Sequence, residues 1–248
     1  MANSAEFRLS IMKALGDQLL ESIEQLEPAP LTSEHVDALD PRAGVYQLRH
    51  HGEVVYVGKA NSLPSRLEKH RRKLSGRRGI FLDDVSFTCL YVESDLPVVT
   101  PETMLINRNR EAGRASWNSG GFGSNDPGKE RDTTRLNVES FDAKYPVRLD
   151  WPCGELSGGL ALADLLVELK AHLPYVFRYE SARIKSTDVL GGPYGEIVSI
   201  RSDASAEDVF EAIIDVLPPG WQLTVLHGYV ILYQKIQGVP DAQRILRS

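Results

Sequence analysis

Two short runs, Val45-Tyr46-Gln47-Leu48-Arg49 and Glu53-Val54-Val55-Tyr56-Val57, face each other across His50-His51-Gly52. Both are rich in β-branched and aromatic residues, and the glycine supplies the backbone freedom a tight connection needs. The segment therefore predicts a β-hairpin. This hairpin constrains the fold most, because the flanking segments carry helical periods. After Gly58 a loop leads to a helix predicted over residues 64–74, with Pro64 in its first turn. Residues 85–92 (VSFTCLYV) read as a third strand. Thr100-Pro101-Glu102 caps and opens a further helix, expected to run to about residue 111. The class implied is α+β, a small central antiparallel or mixed sheet flanked by helices.

Upstream, Phe7, Ile11, Leu15, Leu19, Ile23 and Leu26 recur at spacings of three and four, one apolar stripe of an amphipathic helix. Residues 27–30 (EPAP) end it, since proline cannot continue the helical ladder. A short helix is expected over 33–39 with Ser33 as its cap. Downstream, residues 117–132 (WNSGGFGSNDPGKERD) are dense in glycine and turn formers and predict a long functional loop. Apolar residues at helical spacing over 160–173, a strand over 175–179 and a polar connector over 183–195 follow. Strands at 197–200, 221–226 and 229–234, with a helix at 206–217 capped by Ser205 or Asp203, read as one β-α-β-β unit. Three regions result: a helical arm at 1–40, a central domain at 41–150 and a C-terminal α+β extension at 151–248.

Composition enters through charge. The net charge of −6 by itself argues against a nucleic-acid partner. Its distribution says otherwise: residues 59–78 hold eight Lys or Arg against the single acid Glu68, whereas residues from 136 onward hold ten basic and fifteen acidic ones. A concentrated basic stretch containing Arg71, Arg72, Lys73, Arg77 and Arg78 is a candidate phosphate-binding face. It reads equally well as a solvated, charged helix. No apolar run approaches the ~18 residues needed to span a bilayer, and the first ten residues lack the pattern of a signal peptide. Cys89 and Cys153 are expected reduced and buried, and the protein cytoplasmic. His35, His50, His51, His172 and His227 show no metal-ligand spacing, and the His50-His51 pair is expected to be exposed in the hairpin turn.

Gly44-Val45-Tyr46 and Tyr56-Val57-Gly58, on the two arms of the predicted hairpin, resemble the paired tripeptides of the GIY-YIG nucleases, with Val in place of Ile. Arg66 lies ten residues beyond Tyr56 on the next helix, and His70 four residues further on the same face. Glu102 opens a later helix. Trp117-Asn118, followed by GFG and DPG, is similar to the asparagine-bearing loop of the GIY-YIG restriction enzymes. The resemblance covers about residues 40–150, and more weakly 141–179.

This resemblance implies a type II restriction endonuclease hydrolysing phosphodiester bonds in double-stranded DNA. Its site would comprise Tyr46, Tyr56, Arg66, His70, Glu102 and Asn118. Glu102 would be the sole protein ligand of one Mg²⁺, with Mn²⁺ as a substitute, since no second acid is placed for a two-metal clamp. Tyr46 would act as general base on water, with His70 or Lys59 lowering the cost of ionising a phenol whose reference pKa is about 10. Tyr56 would orient the water or phosphate, Arg66 would neutralise phosphate charge, and Asn118 would orient the phosphate or the glutamate. Arg108, Arg110, Arg114, Lys129, Arg131 and Arg135 are candidates for base readout. A homodimer acting on a short palindrome, in a restriction-modification pair with a DNA methyltransferase, is the implied context. The alternative is a DNA-binding, repair or homing protein of the same fold without restriction function. Each residue also has an ordinary reading: strand tyrosines in a core, a capping glutamate, a turn asparagine.

Overall fold

The computed structural model describes residues 11–92, 105–106, 108–109, 113–122, 135–180 and 195–248, with only the backbone of 11–13. The fold is α+β, with sheets of mainly antiparallel strands flanked by helices. Among the described residues no helix is long and apolar enough to cross a membrane. The chain divides into two compact units: residues 1–71 with 81–123, and residues 72–80 with 124–248. The N-terminal arm thus belongs with the hairpin. Residues 135–150, grouped from sequence with the central domain, belong to the second unit.

In the first unit, helix α1 (Ile11–Glu24) precedes strand β1 (Ala29–Pro30) and helix α2 (Ser33–Asp37). Thr32, not Ser33, caps α2: its side chain accepts from the His35 N–H while Ser33 already lies inside the helix. Strands β2 (Gly44–His50) and β3 (Glu53–Ala60) form the predicted hairpin. Its two-residue turn places His51 and Gly52 at φ of 51° and 82°, the left-handed pair that matches strand twist. A bulge after Leu48 shifts the register, so Tyr46 pairs with Gly58 and Leu48 with Tyr56. Strand β4 (Val85–Tyr91) completes a four-stranded antiparallel sheet in the order β1-β4-β2-β3, which makes β2 central and β3 an edge.

Because side chains alternate along a strand, the sheet has two distinct faces. Val45, Val54 and Val57 pack with Ile23 of α1, Leu105 and Ala115, joined by half-buried Leu19, Leu20 and Ile106. Tyr46, Leu48 and Tyr56 project from the other face. Helix α3 (Leu63–Ser75) carries Leu63, Leu67 and Leu74, each fully buried, and His70, only 4% exposed, on the same stripe. A histidine on an otherwise leucine stripe needs a polar partner, which is where the chemistry of this unit begins.

In the second unit, the short helix α5 (Phe141–Lys144) is followed by helix α6 (Leu162–His172) and helix α7 (Ala206–Val216), which share one apolar core in which Phe177, Val198, Phe210, Trp221 and Leu223 are buried. Strands β8 (Gln222–Val225) and β9 (Tyr229–Tyr233) form a hairpin; β6 (Val176–Tyr179) joins β9 in parallel and β10 (Arg244–Arg247) joins β8, giving β10-β8-β9-β6. The expected β-α-β-β unit is not one sheet. Strand β7 (Ile197–Ile200) pairs instead with β5 (Gly158–Ala161), and the two form a separate two-stranded sheet. Leu160 and Ala161, expected as helix, are therefore strand. Ser205 caps α7 through a reciprocal capping box with Asp208. Both cysteines are free thiols; Cys153 is buried as expected, but Cys89 is only half-buried.

Candidate active site

Four of the expected residues converge in the first unit. Tyr46 is fully buried, and its hydroxyl lies 2.6 Å from Nε2 of His70. Nε of Arg66 donates to the same hydroxyl at 3.2 Å. Tyr56 stands beside them, its ring centroid 6.1 Å from that of Tyr46 and 5.3 Å from that of His70. Arg66 and His70 reach one phenol because α3 presents residues four apart on one face. Burial pushes the Tyr46 phenol well above its ordinary range, and Tyr56 adds to the rise; the hydrogen bond and charge of Arg66 oppose it. Burial lowers the Arg66 pKa, but its hydrogen bond and attraction to Tyr46, together with Tyr56, leave it raised overall.

Packing dictates the glycines of both tripeptides, Gly58 against this cluster and Gly44 against the backbone of β4. A Cβ on Gly58 would overlap the Tyr46 hydroxyl and lie 2.6 Å from its Cζ and 2.9 Å from Cε1 of Tyr56. A Cβ on Gly44 would overlap the Leu90 carbonyl oxygen and lie 2.9 Å from Leu63. Any side chain at position 58 would displace the very hydroxyl that His70 and Arg66 hold.

Asn118 lies on the short helix α4 (Ser116–Ser119). Its amide is engaged elsewhere than expected: Oδ1 accepts from the Val57 N–H and Nδ2 donates to the Val57 carbonyl, both at 2.8 Å. The side chain thus imitates a neighbouring strand along the edge of β3. It fastens the loop beside Tyr56 rather than reaching a phosphate. Lys59 pairs with Val45 across the hairpin and so projects from the face opposite Tyr46, which removes it as a partner for that phenol. His50 is buried, contrary to expectation, its ring 5.7 Å from that of Trp117; only His51 is exposed. Sequence reasoning passed over Phe122, 1% exposed, whose ring contacts both Tyr56 and His70. Its signal was an aromatic residue between glycines in an otherwise polar loop.

The basic stretch is largely committed inside the molecule. Arg71 makes a two-pronged pair with Glu68 at 2.6 and 2.8 Å. Arg72 donates to the carbonyls of Ala171 and Leu173, capping the C-terminal end of α6. Lys73 sits over the Phe141 ring. Arg77 is only 3% exposed and is bound by Asp142 and three backbone carbonyls, so it is not a DNA contact. Arg78 remains exposed, as does Arg135. Arg108 and Arg114 pair with Asp17 and Glu24 of α1. Glu102, Arg110, Lys129 and Arg131 lie outside the described residues.

None of the contacts described for Tyr46, Tyr56 and Arg66 involves a carboxylate, so these residues do not by themselves offer a hard-cation site; the oxygen ligand such a site needs would have to come from elsewhere. What they do offer is a phenol whose oxygen is held between a fixed cation and an imidazole nitrogen. No family model matches the chain, and a search of curated proteins finds no match.

Proposed function

We propose that the chain is a DNA endonuclease of the GIY-YIG type, acting as a type II restriction enzyme on double-stranded DNA. The observation that carries this reading is the Tyr46 hydroxyl, held by Arg66 at 3.2 Å and His70 at 2.6 Å inside a hairpin bearing both tripeptides. Arg66 donates to the phenol oxygen, so the phenol's own proton is directed to Nε2 of His70. Burial makes a standing phenolate costly at neutral pH. Tyr46 therefore works by relay: as water attacks phosphorus, the water proton passes to the Tyr46 oxygen and the phenol proton to His70. The bond from phosphorus to the leaving oxygen breaks in the same displacement.

Arg66 stabilises the phenol oxygen while its proton is in transit, and its remaining N–H groups suit a phosphate oxygen. Tyr56, next to both, orients the water or the phosphate. Glu102 is the residue proposed to hold Mg²⁺, or Mn²⁺ in its place, which would neutralise charge on the phosphate and the leaving oxygen. The proposed enzyme is a homodimer paired in the cell with a DNA methyltransferase. Because much of the basic stretch is internally engaged, phosphate contacts are assigned to exposed cations such as Lys69, Arg78 and Arg135.

The test is digestion of long duplex DNA by purified protein with Mg²⁺, followed by sequencing of the ends. Ends at one short palindrome support the restriction reading. Scattered nicks would place the chain with repair or homing enzymes, and intact DNA would refute nuclease function.

A further inference from the structure

An imidazole presents two nitrogens in different directions, and rotation about its terminal torsion is soft. A hydrogen bond to Tyr46 does not alone hold the ring of His70 in one plane. The structure places Phe122 against that ring: the centroids are 4.8 Å apart and the planes 25° from parallel. The same phenyl meets Tyr56 nearly edge-on, at 5.0 Å and 78°, and Trp117 at 5.1 Å. It is 1% exposed. Its backbone is anchored too. The Phe122 N–H donates to the Trp117 carbonyl at 3.1 Å, and the intervening Asn118 side chain is fastened to Val57, the residue after Tyr56. One segment is therefore pinned to the strand bearing one tyrosine and lays a flat ring over the histidine that serves the other.

We infer that Phe122 is a positioning residue of this site: it fixes the plane of the His70 imidazole so that Nε2 faces the Tyr46 hydroxyl, and it covers one face of that imidazole against bulk water. The assignment rests on the nuclease reading for its catalytic consequence, but its geometric part does not. An aromatic ring stacked 25° from parallel, its centroid 4.8 Å away, resists rotation of the imidazole. A dry environment strengthens the Tyr46–His70 bond and favours a single tautomer, with Nε2 as acceptor and Nδ1 protonated. An aliphatic side chain of similar size would fill the space without presenting a plane to the imidazole.

The experiment combines two readouts on wild type, Phe122→Leu and Phe122→Tyr, each checked by thermal unfolding. Long-range ¹H–¹⁵N correlation on histidine-labelled protein reads the His70 tautomer, its signals assigned by their loss in His70→Ala. Single-turnover cleavage on saturating DNA reads the chemical step. Phe122→Leu is expected to mix the His70 tautomers and slow cleavage by about 10²-fold, the scale of a small misplacement of a reacting group, with DNA affinity unchanged. Phe122→Tyr, which keeps the stacked ring, is expected to retain both. If Phe122→Leu does not fold, Phe122→Met replaces it, filling the space without a plane. Unchanged tautomer signals in the non-aromatic variant would overturn the inference. A wild type that leaves DNA intact while its His70 tautomer still depends on Phe122 would overturn the nuclease reading and uphold the positioning.

Discussion

Arg66 and Arg77 come from one basic stretch and look alike in sequence, yet the structure uses them in opposite ways. Arg77 is wrapped by acceptors: Asp142 at 2.9 Å, and the carbonyls of Tyr145, His227 and Gly228 at 3.1 to 3.4 Å. Burial pulls its pKa down, with Asp142 opposing. It ties together chain segments far apart in sequence through their backbone carbonyls, a structural use of charge. Arg66 is half-buried, and its acceptor is a phenol that is neutral at ordinary pH. A cation held against a neutral hydroxyl is a poor device for stability. Under the proposed relay it gains most when that hydroxyl takes on negative charge, while a proton is in transit. Arg77 thus binds acceptors of the second unit's own framework, whereas Arg66 holds a phenol in the first.

The largest expected effect lies on the side of chemistry. Glu102→Gln should abolish cleavage with Mg²⁺ and leave DNA binding in Ca²⁺ nearly intact, because loss of the metal removes several kcal/mol of transition-state stabilisation while binding rests on Lys and Arg. Efficient cutting by this variant would remove Glu102 from the site. Arg77→Met should act on stability instead, by about 3 kcal/mol, mostly from the loss of its hydrogen bonds to backbone carbonyls. The ion pair adds little, since the Asp142 side chain is 41% exposed. The cleavage rate of folded Arg77→Met should match wild type; a slowed chemical step in a stable variant would break the division of roles. Asn118→Ala falls between the two. It leaves Val57 groups on the edge of β3 unpaired, worth about 1–3 kcal/mol, and should slow cleavage through the loop it releases. Asn118→Ala with wild-type stability and abolished cleavage would return Asn118 to the phosphate. Smallest is Ser205→Ala, which removes one half of a capping box and should cost about 1 kcal/mol, read by denaturant unfolding with cleavage unaffected.

Local features were legible in the sequence. The hairpin, its left-handed turn, α3 with Arg66 and His70 on one face, and the Ser205 cap all follow from residues a few positions apart. What failed to read was non-local. Nothing near β7 says that it pairs with Gly158–Ala161 rather than with the following hairpin, and Leu160 and Ala161 continue the apolar pattern of α6 without a break. Arg77 resembles its solvated neighbours until Asp142 and two distant loops are folded around it. Lys59 lies on the strand paired with that of Tyr46, but alternation sends it to the other face. The motif singles out Asn118, whereas the partner of its side chain, the backbone of Val57, is 61 residues away and carries no side-chain signal.

The central claim is that Tyr46 and His70 act as one proton-transferring unit. Single-turnover cleavage by Tyr46→Phe, His70→Ala and the double variant, each confirmed folded, tests it most directly. General base catalysis is worth about 10²–10⁴-fold, so each single variant should fall by an amount in that range. The double variant should be little slower than the slower single, because residues acting as a unit are not additive. Losses that multiply in the double variant, or a Tyr46→Phe enzyme cutting near the wild-type rate, would contradict the relay.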